Sequence, residues 1–313
     1  MTILQTDAGR VSYSVIIPIY NEAGALEGTI AALAPHLPDS SEVILVDDGS
    51  TDGSSEIVDR LSSEDPRVRG VHHMRNAGYG QALKTGADYA RGRFLIFFDS
   101  DGQHDPATIP RMIQLQQKHD LDMVVGRRVG QARANPLRAP AKWLLGQVAN
   151  VLARDRIPDL NSGLRLIGSE TFRRFRPLLP SGFSLSTTLT ISGLKLGLRT
   201  AFVETQVRPR SGRSTVRFFR DGYATLLLII RLIALFDPLT FFSPIAAVAF
   251  LTGLVYGTGL ALWSGRGFPS AAVFIGLSGL LIFLLGIVCD QISALRLEYL
   301  NLRPERTGSR EGP

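Results

Sequence analysis

The sequence predicts an α/β sandwich with a mostly parallel sheet, followed by an interfacial amphipathic helix and a two-helix transmembrane hairpin. Three observations carry that prediction. Residues 11–210 alternate short apolar runs with stretches of helical spacing, the pattern of strand–helix alternation in parallel α/β folds. Residues 238–292 hold two long runs without charge, joined by one short connection. Arginines gather on both sides of that pair.

The first half supplies the strands. SVIIP (14–18), EVILVD (42–47), RFLIFFD (93–99) and DMVVG (122–126) are continuous apolar runs, which read as strands buried on both faces. GALEGTIAALAPHL (24–37), SSEIVDRLSSE (54–64) and GQALKTGADYARG (80–92) space their apolar residues as helices do. In such sheets ligands bind outside the carboxyl ends of the strands. Those ends carry Tyr20-Asn21-Glu22, Asp47-Asp48-Gly49-Ser50 and Asp99-Ser100-Asp101. Polar and acidic residues therefore converge on one edge.

The second half supplies the membrane elements. No charged residue occurs from Pro238 to Gly265 or from Gly267 to Cys289. At about 1.5 Å per residue, either run crosses a hydrocarbon core of roughly 30 Å with some tilt. Two buried helices of a soluble core are the alternative, and those seldom lack charge for so long. The connection SGRGFPS (264–270) is short, so the runs form an antiparallel hairpin. Arg208, Arg210, Arg213, Arg217, Arg220 and Arg231 precede it; Arg296, Arg303, Arg306 and Arg310 follow it; the connection has only Arg266. The positive-inside rule then places both flanks and the large domain on the cytoplasmic side of the cell (inner) membrane. On a helical wheel Arg213, Arg217, Arg220 and Arg231 share one arc, opposite Phe218, Phe219, Leu226, Ile229, Ile230 and Ile233. A basic helix in the interface has this pattern, as does an amphipathic helix packed on the soluble domain. The expected division is a tail over 1–10, the α/β domain over 11–210, the interfacial helix over 211–237, the hairpin over 238–292 and a basic cytoplasmic tail over 293–313. The first residues show no secretory signal. Trp143 reads as a packing residue and Trp263 as an interface anchor.

Composition narrows the chemistry. Lys and Arg number 34 against 28 Asp and Glu, an excess that suits nucleic acid, anionic lipid or phosphorylated substrates. The basic residues cluster beside the apolar runs without interleaved aromatics, which disfavours nucleic acid. Cys289 is the single cysteine, so an internal disulfide and a multi-cysteine metal site are both excluded. No P-loop, GxGxxG after a first strand, GxSxG or HExxH occurs. The informative stretch is FLIFFDSDGQHDP (94–106). Asp99 and Asp101 are carboxylates one residue apart past a strand end, and a cation between them makes their shared charge tolerable. Hard oxygen ligands suit Mg²⁺ or Mn²⁺, which take phosphate oxygens as further ligands. His72, His73 and His119 read as loop or strand-end residues, and His104 as a solvent-facing turn histidine, the alternative being that it approaches the metal.

These segments carry a resemblance. IIPIYNE (16–22), VDDGSTDGS (46–54), NAGYGQALKTG (76–86) and FFDSDGQ (97–103) resemble, in order, the motifs of the inverting family-2 glycosyltransferases. VVGRR (124–128), DLNSGLRL (159–166) and RPRSGRST (208–215) resemble the polyprenyl-phosphate sugar transferase branch. That branch includes dolichyl-phosphate mannose synthase and the bactoprenol glucosyltransferases, the latter with two C-terminal membrane helices. The resemblance implies a GT-A-like, Rossmann-type sandwich. It places Pro18, Tyr20, Glu22, Asp47, Asp48 and Asp99 on the nucleotide sugar. It places Asp99, Asp101 and Gln103 on the metal, and Arg128, Arg138, Lys142, Ser162 and Arg210 on the acceptor phosphate. Asp99, Asp101, Asp159 and Arg128 would carry the catalysis. The chain departs from the family at Thr215, where Lys is frequent, at Lys142, where Ser is expected, and in FSLSTTLT (183–190), which lacks a frequent Glu.

The implied reaction is inverting transfer of one hexose from a nucleotide-diphosphate sugar, of the UDP-glucose or GDP-mannose type, to a polyprenyl phosphate at the cytoplasmic face. A lipid monophosphate is largely deprotonated near neutral pH, with a second pKa of about 6, so it attacks without a strong general base. Arginine forks would offset repulsion between the two phosphorylated substrates. The competing readings are another membrane lipid acceptor and a non-catalytic membrane-anchored sugar-nucleotide-binding protein. A processive synthase would need a QxxRW motif, and the chain has none.

Overall fold

The computed structural model describes residues 11–129, 146–150, 157–206, 218–265 and 267–301. The chain divides into two compact units between Phe218 and Phe219. In the first, the strands are β1 (Tyr13–Ile19), β2 (Ser41–Asp47), β3 (Val68–His72), β4 (Phe94–Phe97), β5 (Met123–Val129), β6 (Arg165–Gly168) and β7 (Thr200–Gln206). They form one sheet in the order β3-β2-β1-β4-β6-β5-β7. All neighbouring pairs are parallel except those of β6, which runs antiparallel to both β4 and β5. The sheet is therefore mixed, with one reversed strand inside a parallel frame.

Helices α1 (Ala23–Leu33), α2 (Ser54–Glu64), α3 (Tyr79–Tyr89) and α4 (Thr108–His119) follow β1 to β4 in turn. Every residue of β1 and β2 is buried, as continuous apolar runs require. Val15, Ile17, Leu45, Ile96, Val124 and Leu166 unite the strands in one core with Leu26 of α1, Val58 of α2 and Met112 of α4. At the far end from the acidic turns, the buried Glu42 accepts hydrogen bonds from Ser14 Oγ and from Arg91 N and Nε. This closes the strand starts with a satisfied charge.

β3 and β7 are the edge strands, and β6 has only four residues. Their mixed polarity (VRGVH, TAFVETQ) and brevity explain why no apolar run announces them. After β6 come α5 (Ser169–Phe175) and α6 (Leu185–Lys195), and α6 is buried from Leu185 to Gly193. α6 is rich in Ser and Thr, and two of its hydroxyls bond back to the helix backbone. Thr190 donates to Ser186 O and Ser192 to Thr188 O.

The second unit holds α7 (Phe218–Phe236) from its second residue on, with α8 (Pro238–Ser264) and α9 (Ser270–Asn301). α8 and the stretch Ser270–Arg296 of α9 are each long and apolar enough to cross a membrane. They run antiparallel, with Gly253 against Ala272 and Gly276, and Gly279 against Ala246 and Phe250. Large apolar side chains such as Val248, Val255, Phe274 and Leu281 point outward. Small residues at the seam and large ones outside are what helix pairing in lipid favours. α9 continues past 292, where the hairpin was expected to end, to Asn301. On α7 the buried stripe is Ile229, Leu232, Ile233 and Phe236. Of the apolar arc read from the sequence, Ile229 and Ile233 are buried and Ile230 is exposed.

The Gly279 seam gives a first expected result. A Cβ at Gly279 would lie 2.6 Å from Phe250 N, inside van der Waals contact. Gly279→Leu should force the helices apart and cost roughly 1–3 kcal/mol. Thermal unfolding of the detergent-solubilised chain measures this, with Gly259→Leu, whose position has nothing within 4 Å, as the control. Equal melting of the two variants would refute the close-packed seam.

Candidate active site at the carboxyl edge of the sheet

The carboxyl ends of β1 and β2 bring two polar loops together. Asn21 takes a left-handed conformation (φ 56°), which Asn tolerates better than most residues. Its backbone N donates to Ser50 Oγ, and its Oδ1 accepts from Thr51 N. Glu22 N donates to Ser54 Oγ, and Ala23 N to Asp52 Oδ2. Tyr20 stands exposed at this lip.

Beneath the lip lie the tandem aspartates. Asp47 accepts from Ser50 N and Ser55 Oγ and meets His72 Nδ1 at 3.2 Å. Burial works to raise its pKa, but those bonds outweigh it and hold the carboxyl below its ordinary value. Asp48 accepts from Ala77 N and Gly78 N, both at 2.8 Å, and meets His73 Nδ1 at 2.7 Å. Asp48 thereby shapes the loop that leads to Tyr79.

Tyr79 crosses to the next cluster. Its hydroxyl donates to Asp99 Oδ1 at 2.9 Å, and its ring stacks on Phe183. Burial and the Asp99 charge push the hydroxyl well above 10, so it stays a donor. His104 Nε2 meets Asp99 Oδ2 at 2.9 Å. Burial opposes the charged form of both partners. Their mutual bond wins, with Asp99 lowered and His104 raised. This corrects the solvent-facing reading of His104: it is 6% exposed and packs near Phe98. Asp101 Oδ1 accepts from Gln103 N, a local turn bond of the kind Asp favours.

From β5, Arg128 forks onto Asp159, Nε to Oδ2 at 2.7 Å and Nη2 to Oδ1 at 2.9 Å. The bond to Asp159 raises Arg128, which also feels the Asp99 charge. Asp159 is held below its ordinary 3.8, since Arg128 outweighs the burial that would raise it. A pH dependence follows. A carboxylate whose folded pKa is depressed stabilises the fold above its unfolded value and loses that contribution as pH falls through the folded one. The stability gap between wild type and Asp159→Asn should be full above about pH 5, then close as pH drops below 3.8. Urea unfolding across that window checks it, and a gap that holds undiminished down the acid series would rule it out.

The site thus gathers Asp99, Asp101, Gln103, Arg128 and Asp159 around the ends of β4 and β5 and the loop before β6. Tyr20 and Glu22 lie at the β1 lip. Pro18, Asp47, Asp48 and Ser162 are buried at or behind this edge. Pro18 O accepts from Ser100 Oγ. Arg138, Lys142 and Arg210 lie outside the described residues, as do Trp143, Arg208, Arg213, Thr215, Arg217, Arg266, Arg303, Arg306 and Arg310. The sequence reading gave no role to Tyr79, Gly163 or Arg165, although all three fall inside its quoted motifs.

The donor chemistry of the β4 turn fits a hard divalent cation. Asp101 and Gln103 are half-buried and carry side-chain oxygens, and each Asp99 oxygen has a lone pair beyond its present bond. Among the described residues no three His, Cys, Asp or Glu side chains form a closed cage. Mg²⁺-like ions are ordinarily held by one or two carboxylates, with substrate phosphates completing the shell.

Residues 14–178, more than half of the chain, match the family model of glycosyl transferase family 2. The chain belongs to glycosyl transferase family 2. Residues 237–295 of this family 2 member match the GtrB C-terminal hairpin. Glycosyltransferase AglD of Haloferax volcanii is 30% identical over 68% of this chain and 36% of its own length. The chain thus spans little more than a third of that relative. Undecaprenyl-phosphate mannosyltransferase of Micrococcus luteus is 29% identical over 59% of this chain and 78% of its own length. Among solved structures, glucosyl-3-phosphoglycerate synthase of Mycobacterium tuberculosis, in complex with Mn²⁺, UDP-glucose and phosphoglyceric acid, has a TM-score of 0.56. That match covers 72% of this chain and 80% of the other at 22% identity, a likeness of fold.

Proposed function

We propose that this family 2 member transfers a single hexose, with inversion, from a nucleotide-diphosphate sugar to a polyprenyl phosphate. The observation that carries the reading is one chain joining an acidic β4 turn, with Arg128 and Asp159 beside it, to a hairpin of two membrane-length helices. A polyprenyl phosphate presents a charged head at the interface and a tail in the bilayer, so its transferase gains from both parts. The undecaprenyl-phosphate activity in the name of the Micrococcus luteus relative supports the same acceptor class.

In this reading Pro18, Tyr20, Glu22, Asp47 and Asp48 bind the nucleotide sugar. Asp99, Asp101 and Gln103 hold Mg²⁺ or Mn²⁺ on the diphosphate; that ion, when bound, offsets negative charge on the leaving nucleotide. Arg128, with Arg138, Lys142, Ser162 and Arg210, receives the acceptor phosphate. Asp159 keeps the Arg128 fork aimed, an orientation that suits phosphate recognition. The acceptor phosphate is its own nucleophile. Residues 11–210 form the catalytic domain, 211–237 the interfacial helix, 238–292 the hairpin and 293–313 a tail, with domain and tail in the cytoplasm.

The test uses the full chain in nanodiscs, radiolabelled UDP- and GDP-sugars, and either undecaprenyl phosphate or diacylglycerol as acceptor. Labelled lipid that forms only with undecaprenyl phosphate supports the proposal. Label on diacylglycerol alone changes the acceptor class, and no turnover with any donor favours a binding protein.

A further inference from the structure

Among the described residues of the first unit, Arg165 is a buried cation that the proposed chemistry leaves unused. Arg165 is 0% exposed and heads the largest fully buried side chains. It opens β6, in register with Phe97 at the end of β4 and with Val125 of β5, which puts it behind the acidic turn. Its Nη2 donates to Ser162 O and Ser186 O at 3.1 Å and to Thr190 Oγ1 at 3.3 Å. Nε and Nη1 are buried with no partner. Among the described residues no carboxylate pairs with it.

Buried arginines are ordinarily paired, and buried donors without acceptors are costly. Burial draws the Arg165 pKa down to about 10, against the opposing pull of Tyr79, Asp159 and Asp99. The group therefore remains a cation at neutral pH, within reach of the charges that form the site. A well-packed apolar residue of similar length would be expected to stabilise this position. Retaining an incompletely bonded charge there points to a functional reason.

The connections say what that reason is. Ser162 and Gly163 belong to the loop that begins at Asp159, and Ser186 and Thr190 belong to α6. Thr187 of the same helix donates to Asn161 Oδ1. Arg165 thus ties the Asp159–Gly163 loop to α6, and Gly163 lies directly against Asp99. A fixed charge in a water-poor setting acts without reorganising when negative charge moves during reaction.

We propose that Arg165 is a positioning residue of the transfer step: a buried, fixed positive charge that holds the Asp159–Gly163 loop and Asp99 in register for the reacting diphosphate. This assignment rests on the proposed glycosyl transfer. Wild-type turnover, measured first, separates failure of that function from failure of this role.

The experiment compares Arg165→Met and Arg165→Lys with wild type as full chains in nanodiscs, reading thermal stability, kcat and donor KM for each. Arg165→Met should melt at or above the wild-type temperature while kcat falls on the order of 10²-fold and donor KM stays near wild type. Arg165→Lys should recover part of the lost kcat because it restores charge. Three results would each overturn the proposal. One is Arg165→Met failing to fold or losing stability together with activity, which marks a purely structural arginine. Another is Arg165→Met keeping wild-type kcat. The third is Arg165→Lys being no more active than Arg165→Met.

Discussion

Asp101→Ala should reduce sugar transfer by about 10³-fold while the protein stays folded. Asp101 is half-buried on the β4 turn, and its hydrogen bond to Gln103 N is local. Truncating a half-buried side chain on a turn costs about 1 kcal/mol, too little to unfold the domain. In the proposed reaction, losing this carboxylate weakens the hold on the metal that would offset negative charge growing on the diphosphate. The measurement is labelled sugar transferred per minute, with Mn²⁺ titrated from a chelated start, alongside a melting curve. Undiminished transfer by Asp101→Ala, or by wild type after exhaustive chelation, would remove the metal from the proposal.

Gly163→Ala is the second large effect. A Cβ on Gly163 would lie 2.3 Å from Asp99 Oδ2 and 2.8 Å from its Cγ. Neither position is tolerable, so Asp99 or the loop must shift. A shift of about 1 Å at a reacting centre costs on the order of 10²-fold in rate, and the overpacking adds roughly 1–3 kcal/mol of lost stability. Asp99 would part from Tyr79 and His104 together, because its two oxygens are held from two sides. Gly182→Ala is the matched control, since nothing lies within 4 Å of its Cβ position. Equal kinetics for the two alanine variants would show that the Gly163 contact is unimportant.

Much of the fold was legible because its signals are local. β1 and β2 are buried along their whole length, and their apolar runs say so. The hairpin was legible for the same reason: a charge-free run of membrane length has few other uses. The edge strands β3 and β7 and the short β6 were not legible, because each is stabilised by a neighbour rather than by its own composition. The site divides in the same way. Asp99, Asp101 and Gln103 are one turn, so their spacing placed them together. Tyr79 reaches Asp99 from α3, a contact no local pattern carries, and His104, though in the same turn, shows only in the structure that its ring folds inward onto Asp99. Asp47 and Asp48 were visible as an acidic pair, but only the structure shows how fully His72, His73 and the Ala77–Gly78 backbone engage them.

The sequence by itself determined the α/β frame, the acidic edge and the apolar helix pair, since periodicity, charge spacing and run length act over a few residues at a time. Tertiary structure decided the rest. The reversal of β6 between β4 and β5 buries Arg165 behind the acidic turn and brings Gly163 against Asp99. The loop before β6 sets Asp159 beside Arg128 from 31 residues away. Such contacts depend on how distant segments register against one another, and strand pairing and core packing set that register only when the whole sheet forms.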